Sequence, residues 1–165
     1  MFHRAGNKIY AIITAARWHD VGKAHPAFQN MLVRRLIDAS DRRSTMWAKS
    51  DGSQTGRPRY FADVAEKEER IGFRHELASA IAWLAHRGKQ PDANLIAFLI
   101  AAHHGKVRGS IRSLPNEIPP ADSAIKFARG LWHGDVLPPV DLGNGESIPT
   151  TSIDLSLMEL GESTS

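Results

Sequence analysis

His19, Asp20, His75, His103 and His104 are the residues of this chain best suited to chemistry, with Lys23 close behind the first pair. Imidazole nitrogen suits first-row transition metals, and a carboxylate can bridge two cations where one nitrogen donor cannot. Each of these residues lies on or beside an otherwise apolar segment with helical spacing. Such a set can hold one or two divalent ions, and its natural chemistry is metal-assisted hydrolysis of a phosphate ester. Adjacent helical residues point about 100° apart, so His19 and Asp20 can converge on one site only where a helix ends. Lys23 follows Asp20 by three positions and His19 by four, which places it on their face, where its charge can offset that of a phosphate oxygen. His103-His104-Gly105 repeats the adjacent pair at the end of a second segment, and His75 opens a third.

The elements that must position these residues read as helices. Ile9, Ile12, Ile13 and Ala16 form a stripe that delivers His19 and Asp20 at its C-terminal end, after which Gly22 loosens the chain. The next helix spans residues 26–39, with Pro26 in its first turn, where a missing N–H is harmless, and Phe28, Met31, Leu32 and Leu36 as its stripe. A third, over 74–87, buries Leu77, Ala80, Ile81 and Leu84 and stops at Gly88. A fourth starts near Asp92 and carries Leu95, Ile96, Phe98, Leu99 and Ile100 into the histidine pair. It is apolar nearly all round, as expected at the centre of a bundle. A weaker fifth helix covers 121–132. Almost nothing alternates with period two, so the expected fold class is all-α: a helical bundle with a polar surface insertion at 40–70 and an irregular C-terminal tail. The domain is expected to span 1–133, with the tail at 134–165 truncated or leading to a missing helix.

A length of 165 residues suffices for one domain with a real core. The absence of cysteine excludes disulfides and thiol catalysis and fits a reducing cytoplasm. No apolar run approaches the roughly 20 residues of a membrane span, and no signal-peptide core opens the chain. The expectation is a soluble, cytoplasmic protein without a membrane partner. A net charge of +3 and a pI near 9.4 permit a polyanionic partner without requiring one.

The string His19-Asp20-Val21-Gly22-Lys23-Ala24-His25-Pro26-Ala27-Phe28-Gln29 resembles the HD-x-G-K-(x)-FQ signature of CRISPR-associated HD nucleases. These are the nuclease portion of the type I helicase–nuclease, within the HD superfamily of metal-dependent phosphohydrolases. His75 resembles the family's histidine before the next core helix, and His103-His104-Gly105 its His-His-Gly at a helix end. Residues 129–135 and 154–161 are similar to a subtype in which the HD domain lies beyond the helicase, so the resemblance covers about residues 9–161. It implies an HD-type bundle that hydrolyses single-stranded DNA in CRISPR interference. The implied partners are the helicase portion of the same enzyme and a guide-RNA surveillance complex. It also implies that Asp20 bridges two ions, that His75, His103 and His104 complete one of them, and that His19 serves the other. Lys23 would stand near the scissile phosphate, making Asp20 and Lys23 the catalytic pair. Nitrogen-rich donors favour Mn, Co, Ni, Fe or Zn, as one or two ions, with Mg possible. The family also has an upstream opening His, for which His3 is left open, and a closing Asp in a later helix. Asp122, Asp135, Asp141 and Asp154 lie in loop or tail context and substitute poorly for it. The chain is therefore expected to be a piece of a larger enzyme, with the His19–Asp20 ion short of up to two protein ligands and its own activity in question.

Two further readings stand beside this one. One is a phosphohydrolase of nucleotides, against which the extra His75, His103 and His104 count. The other is a catalytically silent truncated module that docks on a partner. His3, His25, His86 and His133 read as solvent-facing or capping, and Arg74 and Glu76 as a solvated pair. Trp18 and Trp83 read as core, while Trp47, near Arg42, Arg43 and Lys49, is the tryptophan best placed to stack a base. Lys106 and Arg108, with Arg112 beyond, follow the histidine pair and are the candidates for guiding a phosphate backbone.

Overall fold

The computed structural model describes residues 2–34, 46, 56–63, 68–105 and 110–156. Among the described residues four α-helices come first: α1 (Phe2–Trp18), α2 (Pro26–Val33), α3 (His75–Arg87) and α4 (Ala93–Ala102). A single 3-10 turn, Val21–Ala24, joins α1 to α2. Short strands follow: β1 (Phe127–Ala128), β2 (Leu131–Trp132), β3 (Val136–Leu137), β4 (Val140–Gly143), β5 (Glu146–Ile148) and β6 (Thr151–Ser152). They pair antiparallel as β1–β2, β3–β6 and β4–β5.

The all-α expectation is therefore wrong for the C-terminal part. Residues 127–152 form three two-stranded ladders where a fifth helix and an irregular tail were expected. Two turns decide this locally. Arg129 and Gly130 both have positive φ (56° and 73°), as do Asn144 and Gly145 (54° and 78°), the backbone that reverses a tight hairpin. At Gly130 the turn presses so closely on α3's approach that a Cβ would lie 2.6 Å from Phe73 Cα. The strands and the segment after β6 also carry core: Leu131, Leu137, Ile148, Ile153 and Leu155 are fully or almost fully buried.

The helical core is built on small residues. Ala11, Ala15 and Trp18 form the buried face of α1, packed with Ala80, Ala82 and Trp83 of α3 and Ile96, Ala97 and Ile100 of α4. Trp18 and Trp83 meet edge to face with centroids 5.0 Å apart, and the Trp83 indole donates to Ala93 O at 2.9 Å. The apolar stripe read on α1 is its outer face: Ile9, Ile12 and Ile13 are 60, 59 and 57% exposed. Alanines let α1 approach α4 closely, and that closeness selects the alanine face for the interior. Leu95 and Phe98 are exposed as well, so α4 is not enclosed all round. In α2, Phe28, Met31 and Leu32 are buried as expected, while Leu36 lies outside the described residues. In α3, Ala80 and Ile81 are buried and Leu77 and Leu84 are half-buried.

A buried ionic network locks the turn after Lys23 to the strands. His25 is 1% exposed; its Nδ1 accepts from Ala27 N at 3.1 Å, capping α2, and its Nε2 faces Asp135 Oδ2 at 3.2 Å. Arg70, also buried, grips both oxygens of Asp135 at 3.0 and 3.2 Å and lies 3.5 Å over the Trp132 ring. Burial alone raises the Asp135 pKa, but His25, Arg70 and the Trp132 N–H outweigh it and hold the carboxyl below its ordinary value. Asp135→Ala should cost about 3–5 kcal/mol in urea denaturation, because the buried Arg70 loses the carboxylate that balances its charge. The double change Arg70→Met, Asp135→Leu should recover only the part of that loss owed to the arginine, because His25 and the Trp132 N–H still lack the carboxylate.

Candidate metal centre

Helix ends deliver the imidazoles. His19 and His103 each follow the last turn of a helix, where backbone carbonyls lack helical partners. His19 Nδ1 donates to Ala16 O at 2.6 Å and His103 Nδ1 to Ile100 O at 2.8 Å. A carbonyl can only accept, so each bond puts the proton on Nδ1 and leaves the Nε2 lone pair facing the pocket. Gly105, at φ 72°, follows His104 in the left-handed conformation common just past a helix end.

Asp20 sits between the rings with its two oxygens turned to different sides. Oδ1 lies 3.3 Å from His75 Nε2 and 4.0 Å from His103 Nε2. Oδ2 lies 3.2 Å from His19 Nε2 and 2.7 Å from Lys23 Nζ. His75 Nε2 and His104 Nε2 approach to 3.3 Å. Two donor sets result, His75 with His103 and His104, and His19 with Asp20 and His103, each with its atoms within 4.8 Å of one another. His103 belongs to both sets, a sharing that the spacing of the sequence could not show.

The electrostatics suit a cation. Burial draws the His75 pKa down to about 4, against the opposing pull of Glu76 and Asp20, so the ring is neutral and its lone pair available near pH 7. At Asp20, burial raises the pKa, but the Lys23 hydrogen bond and charge, with His19 and His75, bring it below the ordinary value. One ionised carboxylate and four imidazoles make a donor set for a divalent transition metal.

The two ligand-bearing segments are tied by Ser79. Its buried hydroxyl accepts from Gly22 N at 2.7 Å and lies 2.8 Å from His19 O and 3.0 Å from His75 O. Gly22 permits this closeness, because a Cβ there would overlap the His75 carbonyl oxygen and come within 2.8 Å of Ala78 Cβ.

Residues 5–133, more than half of the chain, match the family described as Cas3, HD domain. The chain belongs to the Cas3 HD-domain family. That family comprises metal-dependent HD nucleases of CRISPR systems. No curated relative and no solved structure matches the chain. The match to the Cas3 HD family ends at His133, so β3 to β6 lie beyond it. Among the described residues no helix is long and apolar enough to cross a membrane.

Within this Cas3 HD domain, His19, Asp20, Lys23, His75, His103 and His104 all come together. Lys106, Arg108, Trp47, Arg42, Arg43 and Lys49 lie outside the described residues, and no side-chain position is described for His3. Trp18 and Trp83 are core, and His86 reaches Thr151 Oγ1 at 2.6 Å, joining α3 to β6. His25, expected at the surface or capping, does cap α2 but is buried, and Glu76 is buried and not solvated. Sequence reasoning missed Ser79 altogether. Its one signal was a small polar residue among the alanines of α3, one turn after His75.

Ser79→Ala should cost about 1–3 kcal/mol, since the Gly22 N–H is left buried without an acceptor. The loss should show in thermal melts of the metal-free protein, and it should be larger than that of Ser→Ala at exposed Ser110.

Proposed function

We propose that the chain is a divalent-metal nuclease domain that hydrolyses single-stranded DNA in CRISPR interference. Its partners in this reading are the helicase portion of the same enzyme and a guide-RNA surveillance complex. The observation that carries the reading is Asp20, whose two oxygens address two different sets of imidazoles. A carboxylate so placed is suited to bridging two cations, and membership of the Cas3 HD family supports DNA as the substrate class. Bound here, the ions would supply a nucleophile ionised near neutral pH and a Lewis acid for the departing oxygen.

The chain's own residues do the rest. Nε2 of His19 and His103, held by the helix-end carbonyls, needs no reorientation when a cation arrives. Asp20 is ionised at neutral pH and provides the negative charge between the rings. Lys23 stands at the edge of the pocket, where its ammonium offsets charge that accumulates on a phosphate oxygen as the bond breaks. The three-histidine set is what favours a nuclease over a nucleotide phosphohydrolase with a single ion.

Purified protein supplied with Mn, Co or Ni should degrade single-stranded DNA, and Asp20→Ala should abolish cleavage. Equal cleavage by parent and variant would defeat the assignment, and release of phosphate from nucleotides without loss of DNA would transfer it to the nucleotide class. Lys23→Ala should slow cleavage about 100-fold with metal content unchanged, as measured by single-turnover kinetics and elemental analysis.

A further inference from the structure

Glu76 is a buried carboxylate with no part in the chemistry so far. It occupies the first turn of α3, directly after His75, with its side chain 7% exposed. Both Nε and a terminal nitrogen of Arg74 engage its Oε1. The other oxygen, Oε2, is left to face His75 Nδ1 at 3.7 Å. On the far side of the same ring, Nε2 points into the pocket, 3.3 Å from Asp20 Oδ1.

Comparison with the neighbouring imidazoles gives this placement its meaning. His19 and His103 close their helices, and each anchors Nδ1 on the carbonyl three residues back. His75 opens α3, so its own helix has no earlier turn and offers no carbonyl for the outer nitrogen. Glu76 stands where that acceptor is needed. We infer that Glu76, fixed by Arg74, is the positioning residue for His75: its Oε2 accepts a hydrogen bond from the Nδ1–H and keeps Nε2 turned toward the cation.

The inference rests on the reading of His75 as a metal donor. A carboxylate behind a ligating imidazole fixes the ring's tautomer and orientation and strengthens it as a donor. Arg74 balances the charge of the buried acid, which would otherwise be expensive at this depth. A shift of about half an ångström in ring or carboxylate brings the 3.7 Å separation to hydrogen-bond length.

Zinc is a suitable probe because it is diamagnetic and accepts imidazole ligands. Calorimetric titration of the intact chain with zinc should show one binding step weakened about 10- to 100-fold in Glu76→Gln. In the zinc-loaded parent, proton NMR should show a downfield, slowly exchanging His75 Nδ1 proton that disappears in the variant, a change that general loosening of the fold would not confine to one ring. Unchanged zinc affinity, or a His75 Nδ1 proton in the parent that exchanges freely, overturns the inference. Should Glu76→Gln fail to fold, the proton spectrum of the parent decides the question by itself. A parent chain that binds no zinc overturns the proposed function as well, whereas unchanged affinity in the variant overturns this inference alone.

Discussion

The site depends on how closely the turn after Asp20 approaches the first turn of α3. Gly22 lies against the His75 carbonyl with no room for a side chain, and Ser79 fills the remaining gap with a single hydroxyl. That hydroxyl is within reach of the backbone of His19, Gly22 and His75 together. Distance between the segments is thereby set by one buried polar contact and one absent side chain, and not by the donors themselves. If the turn sat a methyl group farther out, Asp20 would lose His75, and the two donor sets would separate. The glycine of the signature thus has a steric task, distinct from the chemical task of the histidine and aspartate before it.

Backbone carbonyls supply the next level of control. A helix must leave its last carbonyls without helical partners, which is a liability in the interior. Here α1 and α4 each satisfy one of them with the imidazole that follows, so the defect at the helix end becomes the device that orients a ligand. This explains why paired histidine–aspartate and histidine–histidine doublets belong at helix ends. Within a helix the carbonyl three residues back is already engaged, and the ring has no acceptor to fix its tautomer.

Much of the site was legible because donor types and spacing carry chemistry without needing to know the fold. His19, Asp20, Lys23, His75, His103 and His104 are identifiable as a set, and all six converge. The burial of α1 was not legible, because both of its faces are apolar and period alone cannot choose between Ile9-Ile12-Ile13 and Ala11-Ala15-Trp18. Volume decides: alanines admit a neighbouring helix, and Trp18 needs Trp83. The strands were hidden for another reason. Each is two to four residues long, too short for alternation to show, although Asn144-Gly145 was a hairpin signal in plain view. Glu76 was misplaced because charge normally implies solvent, and Asp135, read as loop context, could not be paired with Arg70 and His25 because only the fold brings those three together.

Glu76 and Asp135 have different consequences for the site. Asp135 holds the far side of the turn: His25 follows Lys23 by two residues, and its contact with Asp135 and Arg70 couples the signature loop to the strands. Glu76 is next to a donor and acts on the pocket through the His75 ring, with Arg74 offsetting part of its charge. Asp20 is thus the ionised carboxylate among the donor atoms of the two sets, and Lys23 nearly balances it. Imidazoles contribute no charge of their own when neutral. Divalent ions held by such donors would keep almost all of their positive charge, unlike ions in a carboxylate cage. A pocket of that kind attracts phosphate and polarises it strongly, and this retained charge is the physical reason a nitrogen-rich donor set suits the cleavage of a polyanion.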